Sequence, residues 1–253
     1  MLIDTHCHLD VPPLACRIDN VLAAARSAGV RGIIIPGIDP DGWPGISALA
    51  RRHGPEVRAA YGIHPMRAGA ADGETLARLA ELAPQGVAIG EIGLDYTLTD
   101  VSRETQQQAF RAQLRLAAAA GLPILVHCRK AFADLLAIMA EERVERVGGV
   151  MHAFSGSPES AAACRRLGLL ISAAGTITYR NAVRPVEVIR QTPLDQLLLE
   201  TDAPDMTPES HKGEPNEPAF IVETARRVAE IKGVTPDKVA QVTTANAQRL
   251  FRL

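Results

Sequence analysis

His6 and His8 flank Cys7 in the segment Ile3-Asp4-Thr5-His6-Cys7-His8-Leu9-Asp10, directly after an apolar start. On a strand, side chains alternate between faces. Asp4, His6 and His8 would then share one side, and two imidazoles one strand pitch apart can reach a single cation. Four further segments set a candidate ligand at the end of an apolar run: Ala88-Ile89-Gly90-Glu91, Ile124-Leu125-Val126-His127, Gly149-Val150-Met151-His152 and Leu197-Leu198-Leu199-Glu200-Thr201-Asp202. Four imidazoles and two carboxylates are donors enough for one or two divalent ions. Imidazole favours transition metals and carboxylate oxygen suits harder ions, so zinc, manganese and magnesium all match the set. An isolated His-x-His is a weak signal; six such residues at the ends of separate strands are a strong one.

The chemistry of such a set is hydrolytic. Glu91 has two oxygens with which to bridge two cations, and a pair of cations about 3.5–4 Å apart suits an in-line displacement at phosphorus. Asp202 can bind a cation and also accept the proton of an attacking water, which makes it the general-base candidate. Arg129 lies two residues beyond His127 on the same face, where a guanidinium fork suits a substrate phosphate; a structural ion pair is the alternative. His64, in Tyr61-Gly62-Ile63-His64-Pro65, suits a substrate oxygen, with capping of the turn before Pro65 as the alternative. Asp4 and Glu200 sit one layer deeper on the ligand side, either to orient imidazoles or to join a structural polar network. Cys7 and Cys128 alternate away from the ligands and are expected to pack behind them. His53 is expected at the surface, His211 and Lys212 on a solvated loop, and Ser155 in a turn. No serine occupies a G-x-S-x-G elbow and no glycine-rich phosphate loop follows a strand, so serine-hydrolase and nucleotide-cradling chemistries are unsupported.

The elements that must position these residues alternate. Strands are expected over 2–8, 32–38, 58–64, 87–95, 123–129, 148–154, 169–177 and 197–202. Helices are expected over 18–28, 42–53, 74–82, 103–120, 132–142, 158–167 and 183–190, with two more over 217–232 and 236–251. Ser157-Pro158 and Thr235-Pro236 read as a cap followed by a proline at the first helical position, as does Asn216 before Glu217-Pro218. Gly29, Gly121 and Gly168 read as helix stops. The helix over 103–120 carries Phe110, Leu114 and Ala117 on one stripe, with Gln106, Gln107, Arg111 and Arg115 largely elsewhere. Strands such as Gly32-Ile33-Ile34-Ile35 are apolar on both faces, as in a parallel sheet covered on both sides. Eight alternations in 253 residues predict an α/β fold, a single-domain (β/α)8 TIM barrel over 1–253. An open sheet is disfavoured because ligands on the first and eighth strands meet only if the sheet closes. The Pro- and Gly-rich loop over 203–215 is expected over the barrel mouth.

A net charge of −2 does not predict tight binding of long nucleic acid or of an anionic membrane, although a local cationic pocket for one or two phosphates remains compatible with it. No apolar run reaches the roughly 20 residues of a membrane span. Met1-Leu2-Ile3-Asp4 does not read as a secretory leader. Cys7, Cys16, Cys128 and Cys164 lack CxxC spacing and are expected to be free thiols of a cytoplasmic protein.

Several of these segments together resemble the TatD family of metal-dependent hydrolases, within the amidohydrolase superfamily. They are Gly90-Glu91-Ile92-Gly93-Leu94-Asp95-Tyr96, Val126-His127-Cys128-Arg129, His152-Ala153-Phe154-Ser155-Gly156 and Leu199-Glu200-Thr201-Asp202-Ala203-Pro204, with the opening His-x-His. The resemblance implies a TIM barrel with one metal at His6, His8, Glu91 and Asp202, and a second at Glu91, His127 and His152. It also implies a phosphate contact at His64 and the 3′-directed deoxyribonuclease activity of characterised members. Many members follow Tyr96 with another aromatic and a basic residue, where this chain has Thr97-Leu98-Thr99-Asp100. Many are also more basic before Asn216, where this chain has His211-Lys212-Gly213-Glu214-Pro215. The expectation is therefore a cytoplasmic hydrolase with two divalent metal ions, Zn, Mn or Mg, acting on a phosphodiester substrate that includes DNA ends. The rivals are a hydrolase of small phosphate esters, amides or lactones and a non-catalytic metal-stabilised binding protein. Nothing in the sequence identifies a protein partner.

Overall fold

A computed structural model describes all 253 residues. Eight parallel strands run in sequence order around one sheet. They are β1 Leu2–Asp4, β2 Val30–Ile35, β3 Val57–Tyr61, β4 Ala88–Asp95, β5 Ile124–Arg129, β6 Gly149–Met151, β7 Leu169–Ala173 and β8 Leu197–Leu199. The helices are α1 Ile18–Ser27, α2 Trp43–His53, α3 Gly73–Leu82, α4 Arg103–Ala120, α5 Phe132–Glu141, α6 Pro158–Arg166, α7 Val183–Gln191, α8 Ile221–Lys232 and α9 Pro236–Phe251. No helix is long and apolar enough to cross a membrane.

The sheet closes past the regular strand ends. Thr5 N donates to Leu199 O (3.1 Å), Asp202 N to His6 O (2.9 Å) and His8 N to Ala203 O (2.8 Å). Cys7 and Ala203 form an isolated parallel bridge. The fold is thus the expected eight-stranded α/β barrel. Apolar residues fill two layers. Ile33, Ile35, Tyr61, Ile89, Ile92 and Val126 pack outward with the helices. Ile3, Ile34, Ala60, Ala88, Leu125, Val150 and Leu198 fill the interior, where Ala247 and Phe251 of α9 join them. That end is plugged by hydrocarbon, so the polar groups beyond the strand C-termini hold the other mouth.

Most strands are shorter than their expected spans, and the reason is local. Residues 6–8, 62–64, 152–154 and 200–202 lie past the regular strands, and the side chains of His6, His64, His152 and Asp202 turn to the mouth. Ala153 (φ 41°) and Asp202 (φ 55°) adopt left-handed backbone to do so, a conformation that recurs at functional sites. Ser157 and Thr235 cap α6 and α9 as expected, accepting from Ser160 N and Lys238 N. Asn216 does not cap a helix: α8 begins only at Ile221. Its amide instead donates to Thr201 O (2.8 Å) and Asp205 O (2.7 Å), tying down the loop after β8. That loop packs on the segment following β7, where Tyr179 donates to Thr207 O and Glu209 accepts from Arg180 N. Gln106 is also placed differently from expectation. It is buried, exchanging hydrogen bonds with the backbone of Asp95 at the end of β4.

Candidate metal centre

His6 and His8 follow β1 and aim Nε2 at each other, 3.3 Å apart. His6 Nε2 is also 3.3 Å from Glu91 Oε2 and 3.6 Å from Asp202 Oδ1. His8 Nε2 lies 3.5 Å from the same Asp202 oxygen. Around the other oxygen of Glu91, His127 Nδ1 stands at 3.0 Å and His152 Nε2 at 3.5 Å. His152 Nε2 is 3.9 Å from Asp202 Oδ2. All six residues singled out from the sequence therefore converge on one spot at the strand C-termini, with Glu91 between two donor groups.

The donors suit divalent ions. Ligand atoms about 2.1 Å from a tetrahedral centre lie roughly 3.4 Å from one another, and the first group is spaced at 3.3–3.6 Å. Two imidazole nitrogens that face each other, with carboxylate oxygens beside them, are a cation-seeking set. Neither Cys7 nor Cys128 joins any of these groups. Cys7 is fully buried, and burial lifts its thiol well above the ordinary range, which agrees with packing behind the site.

The electrostatics keep the carboxylates charged. Burial works to raise Glu91, but the imidazoles of His152, His6 and His64 hold it well below the usual carboxylate range. Asp202 is treated alike, burial being outweighed by His152, His8 and His6. Burial lowers His152, yet Glu200, Asp202 and Glu91 together lift it to about 10.

Asp4 and Glu200 take different roles. Asp4 accepts from Thr201 N (2.9 Å), Thr201 Oγ1 (2.6 Å) and His6 N (3.3 Å), a network that holds the β1 and β8 ends together. Glu200 Oε1 accepts from His152 Nδ1 at 3.0 Å. His64 caps the turn before Pro65 and also faces the site. Its Nδ1 accepts from Met66 N (3.2 Å), capping the turn, while Nε2 points into the site 3.8 Å from Glu91 Oε1. In the neutral ring Nε2 then carries the proton and is a donor. Arg129 is exposed on the rim in register with Asp95 and pairs with no carboxylate, so the structural ion pair is not formed. His211 stacks on Phe220 with centroids 3.7 Å apart.

Three residues escaped the sequence reading. Asp95 Oδ2 lies 3.5 Å from His127 Nε2; its parity with Glu91 on β4 was the available signal. Gln106 holds the backbone at Asp95, and Gln113 grips Ile63 N (2.7 Å) and Ile63 O (3.1 Å), next to His64. No local pattern distinguishes these glutamines from surface ones.

A family model described as TatD related DNase matches residues 3–252. The chain is 38% identical over 255 residues to the uncharacterized metal-dependent hydrolase YabD of Bacillus subtilis, covering all of both chains. It is 37% identical to the 3'-5' ssDNA/RNA exonuclease TatD of Erwinia billingiae, over 93% of each chain. Its structure superposes on that of YjjV, the TatD homologue of Escherichia coli, with a TM-score of 0.94 at 36% identity, covering 100% and 98% of the two chains. The chain belongs to the TatD family of metal-dependent hydrolases.

Proposed function

We propose that this chain is a phosphodiesterase of nuclease type that uses two divalent cations and removes nucleotides from 3′ ends. One observation carries the reading: Glu91 Oε2 lies 3.3 Å from His6 Nε2, beside His8 and Asp202, while Oε1 lies 3.0 Å from His127 Nδ1 and 3.5 Å from His152 Nε2, a ring that also reaches Asp202 at 3.9 Å. Such a pair of cations supplies charge stabilisation for the attacking and leaving oxygens of an in-line displacement. The remaining work falls to side chains. Asp202 is held ionised among its imidazoles and takes the proton of the attacking water. His64 donates from Nε2 to a substrate oxygen. Arg129, unpaired at the rim, grips a phosphate through its guanidinium fork. The exonuclease among the relatives supports nucleic-acid ends as substrate.

A second reading, hydrolysis of small phosphate esters, amides or lactones, draws on the rim. Arg17 and Arg67 are each paired with a carboxylate, Glu217 and Asp39, which withdraws two cations from a long polyanion. A substrate panel with Mg²⁺, Mn²⁺ and Zn²⁺ separates the two. It comprises 5′-labelled single-stranded oligonucleotides, bis(4-nitrophenyl) phosphate, a lactone and an anilide. Stepwise shortening of the oligonucleotide from its 3′ end is the expected result. Turnover of the lactone or anilide with intact oligonucleotide would select the second reading. No metal-dependent turnover of any substrate would leave a binding role.

A further inference from the structure

The two halves of the centre are not supported alike. His152 turns Nε2 to the site and gives Nδ1 to Glu200 Oε1 at 3.0 Å, an oxygen that also accepts from Ala153 N at 2.5 Å. Glu200 is fully buried. His127 is turned the other way, with Nδ1 toward Glu91 and Nε2 3.5 Å from Asp95 Oδ2. Asp95 is itself set in place, its Oδ1 accepting from Thr97 N (2.9 Å) and Thr97 Oγ1 (2.6 Å). His152 and His127 thus each have a carboxylate near the outer nitrogen, hydrogen-bonded at His152 and 3.5 Å away without a hydrogen bond at His127. On the opposite side, His6 Nδ1 is buried, makes no hydrogen bond and has no carboxylate oxygen within 4 Å. A carboxylate behind a ligating imidazole fixes its tautomer and orientation and raises its basicity.

We propose that Glu200 and Asp95 are positioning residues for one cation only, the one shared by Glu91, His127 and His152. This rests on the two-cation reading above. The carboxylates hold two rings in ligating orientation before any ion arrives, while the ion at His6, His8 and Asp202 depends on its direct ligands alone. Removing one outer charge therefore weakens one binding event and spares the other.

The test is Mn²⁺ binding to the metal-free full chain, with free Mn²⁺ counted by its paramagnetic resonance signal. Glu200→Gln keeps the size of the side chain and removes its charge. Asp95→Asn does the same from the other ring, and serves should the first variant fold poorly. The wild type is expected to bind two equivalents. Each variant is expected to keep one at wild-type affinity and to bind the other 10–100-fold more weakly. Two equivalents at wild-type affinity in both variants would overturn the inference while leaving the two-cation reading standing. So would equal weakening of both equivalents, the mark of a purely structural role. Fewer than two equivalents in the wild type would overturn that reading and this inference with it.

Discussion

Glu91 is almost wholly buried and lies within 4 Å of four imidazoles, so few substitutions there leave an interpretable protein. Asp202, Arg129 and His64 separate the roles better. Asp202→Asn keeps volume and removes the base; turnover is expected to fall ~10²–10⁴-fold. Metal content measured on the same sample tells loss of the base from loss of an ion, and near wild-type turnover at full occupancy would reject Asp202 as the base. Arg129→Ala is expected to leave metal content intact and raise KM for a phosphodiester, with a fall in kcat if the contact tightens as charge develops. Equal losses on charged and neutral esters would make Arg129 a structural residue. For His64, burial lowers the imidazole from the usual 6.5 to about 4. Between those values the unfolded chain binds a proton that the folded chain does not. Stability of the metal-free chain therefore declines as pH drops from about 6.5 to 4 and recovers as pH rises. In His64→Gln that part of the slope is expected to vanish, as denaturant titrations in chelator across the window would record; an unchanged slope would contradict it.

At the scale of elements, the convergence of the candidate ligands was legible because each stands just past an apolar run, where a barrel strand delivers side chains to its C-terminal mouth. The sequence could not reveal how the chain leaves the ladder. His152 and Asp202 reach the centre through left-handed backbone at Ala153 and Asp202 itself, a choice set by tertiary contacts rather than by strand parity. The long-range grips of Gln106 and Gln113 were hidden for the same reason: a buried glutamine on a helix looks like a solvated one until its partner strand is known. Asn216 misled because an Asn before Glu-Pro is a sound capping signal, yet its amide is taken by Thr201 O and Asp205 O. Gly93 shows how tightly two site strands are joined. It sits at φ +147°, and a Cβ there would come within 1.9 Å of His127 O. Gly93→Ala is expected to cost of order 1–3 kcal/mol from the backbone alone. It should also part β4 from β5, so that a lowered melting temperature is accompanied by lost metal. A variant with wild-type melting and full metal content would show that the close approach is dispensable.

Across the whole molecule, one end of the barrel is sealed by Ala247 and Phe251 of α9 and the other gathers buried charge. The imidazoles and carboxylates of that mouth balance one another, and a bound cation adds its binding energy to the folded state alone. At metal concentrations one hundredfold above the dissociation constant this contributes ~2.7 kcal/mol. Chelation is therefore expected to lower the melting temperature, and no shift on adding Mg²⁺, Mn²⁺ or Zn²⁺ would argue against a resident ion. The most direct measurement is anomalous scattering at the manganese edge from crystals equilibrated with Mn²⁺. Two peaks about 3.5–4 Å apart are expected, one touching His6, His8 and Asp202, the other His127 and His152, with Glu91 reaching both. A single peak, or peaks that do not share Glu91, would contradict a two-cation centre.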